Sequence, residues 1–271
     1  MTSISGDTPT TTDSTRNAAA EAAGLARDRA RAWGRDLLNA TPWLGLDDRV
    51  TLVVTSPAPG VEVVPPTLAL WLVIDAPTAR ALPPEYQALI TTDAAVERLL
   101  QALTPRSIEA RWQWRHVEIV MDRLRRAEQF GLRAGMLPDD GPERMLRPLW
   151  STAHASARAL EVMGTDRTRE ALVAAGEIAS SLARIACVMD EGAYPPVDVL
   201  LAVARETRIG KRIGPWLDDL IPALGGDEAA ARRILGSRDQ ALTEVAEVMA
   251  ERFRARPWLA DPESFALRTP R

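Results

Sequence analysis

The sequence has very few of the residues that several common kinds of chemistry require. Cys187 is its single cysteine, which excludes internal disulfides and any zinc site built from cysteines. Lys211 is its only lysine, so a Schiff-base mechanism would have to use Lys211 or the N-terminus. Only two histidines are present, His116 and His154, which disfavours a Ser–His–Asp triad.

Long apolar runs and a strong excess of one charge are also missing. The longest apolar stretch, residues 68–74, is far too short to span a bilayer, so we expect no membrane partner. The net charge of −4 argues against nucleic-acid binding, which needs a cationic surface. Residues 1–13 lack the basic and apolar segments of a signal peptide, so we expect a cytoplasmic protein.

What the sequence does contain is typical of a globular protein with one large domain or two small ones. Hydrophobic residues make up 46% of the 271 residues and charged residues 26%. Residues 50–55 and 67–74 are β-branched and apolar runs that predict two buried strands. The loop between them holds four prolines and Gly60. Residues 111–122 predict a third strand, with helical spacing before and after it.

No further strand is predicted after residue 137, where the apolar positions follow a helical period. The predicted helices cover residues 143–163, 167–190, 197–206, 213–223, 227–236 and 238–254. We therefore predict four parts: a disordered tail at 1–12, a strand-containing domain at 13–136, a helical bundle at 137–255 and a C-terminal extension at 256–271.

The two predicted strands and their loop resemble the signature of the DNA polymerase β-like nucleotidyltransferases. In that superfamily the first strand ends in Gly-Ser, a glycine follows four residues on, and the second strand carries Asp-x-Asp. Here Thr55 takes the first glycine position, Ser56 is retained and Gly60 is in place. The order of elements is most similar to the bacterial branch that includes the aminoglycoside nucleotidyltransferases. The resemblance implies an α/β (α+β) fold, with a mixed sheet and flanking helices followed by an all-α bundle.

The metal-binding positions of that signature hold the wrong residues. The two aspartates fall on Leu68 and Leu70, and leucine cannot coordinate Mg²⁺, which needs oxygen ligands. The third carboxylate falls on or near Glu118, which alone could not hold two metal ions. We therefore expect no metal, no cofactor and no metal-dependent nucleotidyl transfer.

The segment 111–122 suggests another use for the cleft that such a fold creates between its domains. Alternation along a strand predicts one face with tryptophans, His116 and Glu118, and an opposite, core face with Val117, Ile119 and Met121. His116 and Glu118 would then be an acid and base beside an apolar pocket. The alternative is that both side chains are simply solvated or hydrogen-bonded and that the tryptophans pack in the core. The candidate substrate-binding residues are Ser56, Leu68, Leu70, Trp112, Trp114 and Tyr194.

Three functions fit these features. The first is a degenerate nucleotidyltransferase-fold protein that binds a small, apolar molecule. The second is a metal-independent enzyme of specialised metabolism, with cyclase-type or isomerase-type chemistry on His116 and Glu118. The third is a surviving nucleotidyltransferase whose carboxylates have moved, for example to Asp75, Glu62 and Glu118. The sequence leaves the oligomeric state open.

Two charged clusters remain. Asp139-Asp140-Gly-Pro-Glu143 has the shape of a diphosphate–magnesium motif, but it also predicts a turn and a helix start at Pro142, which we favour. One basic cluster could bind an anion or form a solvated face, and we favour the second. Its residues are Arg205, Arg208, Lys211 and Arg212.

Overall fold

The structure is a computed structural model that describes residues 50–56, 69–74, 90–163, 168–253 and 256–262, with Asp28, Ala32 and Arg35. The predicted tail at 1–12, the proline-rich loop and Leu68 lie outside the described residues. Two compact units divide the chain. The sheet unit takes in the chain up to Glu97 and His116–Phe130, and the helical unit takes in Arg98–Arg115 and the chain from Gly131 onward.

The sheet unit contains a four-stranded mixed sheet in the order β3-β2-β1-β4. Strand β1 (Val50–Ser56) is central and pairs antiparallel with β2 (Ala69–Ile74) and with β4 (Glu118–Asp122). Strand β3 (Ile90–Thr91) runs parallel to β2. Three consecutive residues of β1, Leu52–Val54, have no exposed surface, which is typical of a strand covered on both faces.

The predicted third strand is correct only at its end. Residues Pro105–Arg115 form helix α2, and the strand is confined to Glu118–Asp122. Pro105 stands at the first helical position, and the hydroxyl oxygen of Thr104 accepts a hydrogen bond from the Ser107 amide, so a helix start is encoded just before the tryptophans. The predicted core face is also wrong, because Ile119 is 47% exposed.

Two more helices lie near the strands along the chain: α1 (Asp93–Gln101) follows β3, and α3 (Arg126–Gly135) follows β4. The rest of the described chain is helical, which confirms a mixed α/β part followed by a helical part. The bounds of the later helices agree closely with those predicted. They are α4 (Gly141–Met163), α5 (Thr168–Glu191), α6 (Val197–Glu206), α7 (Arg208–Leu224), α8 (Glu228–Gly236), α9 (Arg238–Phe253) and α10 (Pro257–Ala260).

Helix α7 starts five residues earlier than the predicted residue 213, because the turn before it is capped. The hydroxyl oxygen of Thr207 accepts a hydrogen bond from the Gly210 amide at 2.9 Å, and the same hydroxyl donates to the Ala204 carbonyl at 2.6 Å. These bonds satisfy polar groups at the junction between α6 and α7. A side chain at Gly210 would overlap the Ala204 carbonyl, so the junction depends on this glycine.

The helical unit is built around α5. Helices α4 and α5 pack along most of their length, and α6, α7, α8 and α9 also contact α5. The buried stripe of α5 is rich in alanine (Ala175, Ala179 and Ala186), which allows close approach of the neighbouring helices. By length and composition alone, helix α5 is long and apolar enough to cross a membrane. However, 61% of its apolar 18-residue segment is buried inside the protein.

The described part of the predicted C-terminal extension belongs to the helical unit rather than standing apart. Trp258 in α10 is 2% exposed, and its ring lies 5.6 Å from that of Phe253 in α9. The indole N–H of Trp150 in α4 donates to the Leu259 carbonyl at 3.2 Å. These contacts anchor α10 to α4 and α9.

Candidate functional site

The sheet brings three of the positions marked by the nucleotidyltransferase resemblance into one row. Thr55 of β1 stands opposite Leu70 of β2, and on its other side opposite Glu118 of β4. Ser56, the next residue of β1, stands opposite Ala69. Directly opposite residues on antiparallel strands are close neighbours, so the sheet juxtaposes a leucine position and a glutamate position across one central strand.

His116 and Glu118 lie at the start of the last strand. His116 is half-buried in the short link between α2 and β4, and Glu118 is the first, half-buried residue of β4. Both belong to the sheet unit together with Ser56 and Leu70. The predicted acid and base are therefore two residues apart in the chain, but only Glu118 stands in the row with Leu70.

The two tryptophans do not form one wall of a pocket. Trp112 and Trp114 lie on α2, where residues two positions apart are about 200° apart around the helix axis and so face different sides. Each is 1% exposed, and both belong to the helical unit. The alternative interpretation of these residues, that they are core residues, is the correct one.

Tyr194 is a member of a partly buried polar cluster in the helical unit. It is 2% exposed and lies in the link between α5 and α6, with the Arg184 guanidinium 5.4 Å from the centre of its ring. Burial raises the pKa of the Tyr194 hydroxyl, Arg184 opposes that shift and Glu109 adds to it. Burial likewise raises the pKa of the Glu109 carboxyl, with Arg184 lowering it and Asp198 raising it further.

Arg111 has a structural role that the sequence analysis missed. Its side chain is 2% exposed, and its Nη1 donates to the carbonyls of Arg133, Ala134 and Met136 at 3.3, 3.1 and 2.8 Å. Its Nη2 donates to the Leu100 carbonyl. The cation therefore binds the C-terminal ends of α1 and α3, where the helix dipoles place partial negative charge. Burial lowers the pKa of this guanidinium.

The hydrogen bonds of Arg111 join segments that all precede the predicted boundary between residues 136 and 137. Arg111 ties the end of α1, all of α2 and the end of α3 together, and these segments fall in the helical unit. No apolar periodicity reports such a contact, because its acceptors are backbone carbonyls. An arginine in an otherwise apolar part of a helix was the one available signal.

The two charged clusters form the local structures that we favoured. Asp139 and Asp140 lie in a turn, and α4 begins at Gly141, directly before Pro142. The arginines of the basic cluster are matched by carboxylates. Arg205 pairs with Asp218, Arg208 with Glu251, and Arg212 with Glu244 and Glu247.

Cys187 is chemically inert in the folded protein. It has no exposed surface, and burial together with Glu191 and Asp190 raises the pKa of its thiol to about 12. The thiolate is the reactive form, and it is nearly absent at neutral pH. Cys187 is therefore a core residue of α5.

No group of three His, Cys, Asp or Glu side chains that could hold a metal ion occurs within the described part of the chain. Comparisons of this chain with family models, with curated proteins and with solved structures each returned no match. The function is therefore inferred from the residues of the chain itself.

Proposed function

We propose that this protein is a nucleotidyltransferase-like binding protein that has lost metal-dependent nucleotidyl transfer and binds a small apolar molecule at the sheet. The row Leu70–Thr55–Glu118 carries this proposal. The resemblance assigns a metal-binding carboxylate to the first position and the third carboxylate to the last. The row therefore retains one carboxylate where the family arrangement has more.

The chemistry of the replaced positions favours an apolar ligand. A divalent cation needs several oxygen ligands, and a leucine in their place removes a ligand and adds apolar surface. Small-molecule sites commonly combine apolar surface with a few polar groups that orient the ligand. Glu118 is the polar group that we assign to this role, with His116 nearby in the chain.

The decisive experiment is thermal unfolding of the purified protein with two sets of compounds. One set is Mg²⁺ with each nucleoside triphosphate, and the other is a panel of straight-chain fatty acids and monoterpene alcohols. A compound that binds the native state raises the midpoint of unfolding by mass action. We expect a shift with at least one apolar compound and none with Mg²⁺ and nucleotide.

Three variants place the site. Leu70→Asp introduces a charge into the row and should abolish the apolar shift, because an apolar ligand cannot replace the water that hydrates a carboxylate. Glu118→Gln should weaken binding while leaving the fold intact. Glu128→Gln, which changes an exposed carboxylate on α3, is the matched control and should bind like the wild type.

Other outcomes overturn the proposal. A shift of the wild type with Mg²⁺ and a nucleotide would restore the transferase hypothesis with relocated carboxylates. The absence of a shift with every apolar compound would refute an apolar site. Conversion of a bound compound, detected by mass spectrometry and lost in His116→Ala, would establish the metal-independent enzyme instead of the binding protein.

A further inference from the structure

A second candidate site is an open groove of about 380 Å³ within the helical unit, at the end of α5. Three segments form it: the link from α3 to α4, the last residues of α5 with Gly192, and Arg252 near the end of α9. Its apolar lining residues are Leu137, Pro138, Pro142, Val188 and Met189. A volume of this size accommodates a small metabolite.

The walls of the groove are firmly held. The Gly141 amide donates to the Pro138 carbonyl at 2.8 Å, and the Gly192 amide donates to the Val188 carbonyl at 2.9 Å. Gly192 has φ +71°, a left-handed conformation that favours glycine, and a side chain there would meet Leu137 at 3.0 Å. The link and the end of α5 are thus packed against each other, so the groove is a preformed feature of this unit.

Charges of both signs line the groove, and two of them form no ion pair within the described structure, although the Arg252 guanidinium lies 5.4 Å from the centre of the Phe253 ring. Asp139 and Arg252 have no ion-pair partner among the described residues, although both line the same groove. The third charged lining residue, Asp190, accepts a hydrogen bond from the Arg208 amide at 2.9 Å. The groove therefore presents a carboxylate and a guanidinium that have no ion-pair partner among the described residues.

The charged residues next to Asp139 and Arg252 in the chain do form ion pairs. Asp140 and Glu143, from the same acidic segment as Asp139, pair with Arg144 and Arg256 at 4.0 and 3.1 Å. Glu251, next to Arg252, pairs with Arg208. Asp140, Glu143 and Glu251 do not line the groove and are paired within the protein, whereas Asp139 and Arg252 line it without an ion-pair partner.

We propose that this groove binds a small zwitterion, an amino acid with an apolar side chain. Arg252 would bind its carboxylate, since a guanidinium matches a carboxylate with two parallel hydrogen bonds. Asp139 would bind its ammonium group, and the C-terminal end of α5 would favour the same positive charge. The apolar residues of the groove would contact the side chain. This site is separate from the sheet and does not depend on the function proposed above.

The test is isothermal titration of the full chain with L-valine, L-leucine, L-isoleucine, L-methionine and L-phenylalanine. For the leucine side chain, two analogues that each lack one charge complete the set: 3-methylbutylamine and 4-methylpentanoate. We expect saturable binding of at least one amino acid. The amine and the acid should bind roughly tenfold more weakly or worse, because each loses one charge-assisted contact.

The variants Arg252→Ala and Asp139→Asn should each weaken amino-acid binding by roughly tenfold. Both residues are exposed, so both variants are expected to fold, and circular dichroism checks this. Arg252→Lys keeps the charge and should recover part of the affinity. Arg232→Ala, an exposed arginine of α8 away from the groove, is the matched control.

Three results would overturn the inference. They are no saturable binding of any of the five amino acids, binding that Arg252→Ala and Asp139→Asn both leave unchanged, and equal binding of an analogue that carries a single charge.

Discussion

The sheet unit and the helical unit join their chain segments in different ways. In the sheet unit, β1 pairs with β4, which follows it only after two strands and two helices of the described chain. In the helical unit the most extensive packing is between consecutive helices, α4 with α5 and α7 with α8. The helical unit also includes the ends of α1 and α3 and all of α2, and the hydrogen bonds of Arg111 join these segments to one another.

This contrast shows where each unit is vulnerable. Helix pairs that follow one another need little more than an apolar stripe and a well-formed junction, so their stability is spread over many small contacts. Helix α2 combines buried tryptophans with the specific polar contacts of Arg111. Replacing Arg111 should therefore lower the free energy of unfolding by more than a change of similar size on a helix surface, because its acceptors are buried carbonyls.

The largest expected effect follows from removing the hydrogen bonds of the Arg111 side chain. Arg111→Met keeps an apolar stem but removes a donor from four carbonyls. The Arg133 carbonyl still accepts from the Met136 amide, whereas the carbonyls of Leu100, Ala134 and Met136 lose the donor that Arg111 supplies, and a buried unsatisfied acceptor is costly. We expect the free energy of unfolding to fall by about 3 kcal/mol or more, measured by urea unfolding followed by circular dichroism. Arg106→Met changes an exposed arginine of the same helix and should cost less than about 0.5 kcal/mol. If both variants lost the same free energy of unfolding, the hydrogen bonds of Arg111 would contribute no more to stability than an exposed arginine does.

The next effect concerns a junction between consecutive helices. Gly210→Ala would press a methyl group onto the Ala204 carbonyl and the Thr207 hydroxyl, so we expect a loss of about 2–3 kcal/mol. Gly214→Ala, four residues on in the same helix, meets no atom within 4 Å. That variant should gain about 0.5–1 kcal/mol, because alanine is the better helix former. In thermal unfolding, Gly210→Ala should lower the midpoint and Gly214→Ala should raise it. Midpoints that shift in the same direction would contradict the tight junction at Gly210.

A smaller effect is expected from removing an aspartate that caps a helix start, and each unit contains such an aspartate. Asp122 accepts hydrogen bonds from the amides of Arg126 and Ala127 at 2.9 Å each, at the start of α3. Asp227 accepts from the amides of Ala229 and Ala230 at 2.8 and 3.0 Å, at the start of α8. Each change to alanine should cost about 1 kcal/mol. Hydrogen exchange should locate the loss of protection near α3 for the first variant and near α8 for the second.

If Asp122→Ala instead reduced protection in α8, local opening would not be confined to one unit, and the division into two units would be of little energetic meaning.

The smallest effect is a pH dependence within the helical unit. Burial, with Asp198, raises the pKa of Glu109 above its ordinary 4.5, so the native state holds this proton more tightly than the unfolded state. The contribution of Glu109 to stability is therefore largest at low pH and is lost as the pH rises above 4.5. The Glu109→Gln variant has no carboxyl to ionise and does not lose this stability. The unfolding midpoint of the variant minus that of the wild type should therefore increase from pH 4 to pH 7.

Partial exposure keeps the change small, and Arg184 opposes it. Glu206→Gln, an exposed carboxylate of α6, is the control. A difference between Glu109→Gln and wild type that stays constant with pH would contradict a raised pKa.

Much of the helical unit could be predicted from the sequence, and one part of the sheet could not. The helix Val197–Glu206 has the predicted bounds, because a strong 3.6-residue period is a local signal. Trp112 and Trp114 alternate with polar residues over a short stretch, and that pattern fits a strand as well as a helix turn. The start signals at Thr104 and Pro105 distinguish the two, and they lie before the segment rather than in it.

The sequence by itself determined the mixed α/β part, the helical part and most helix bounds, because these depend on the period of apolar residues along neighbouring turns. Only the tertiary structure decided that Arg111 holds the ends of α1 and α3, since its acceptors are carbonyls that no side-chain pattern reports. It also decided that Asp139 and Arg252 share one groove. Residues that are distant in the chain meet only when the helices pack, and the sequence pattern of each helix carries no record of its neighbours.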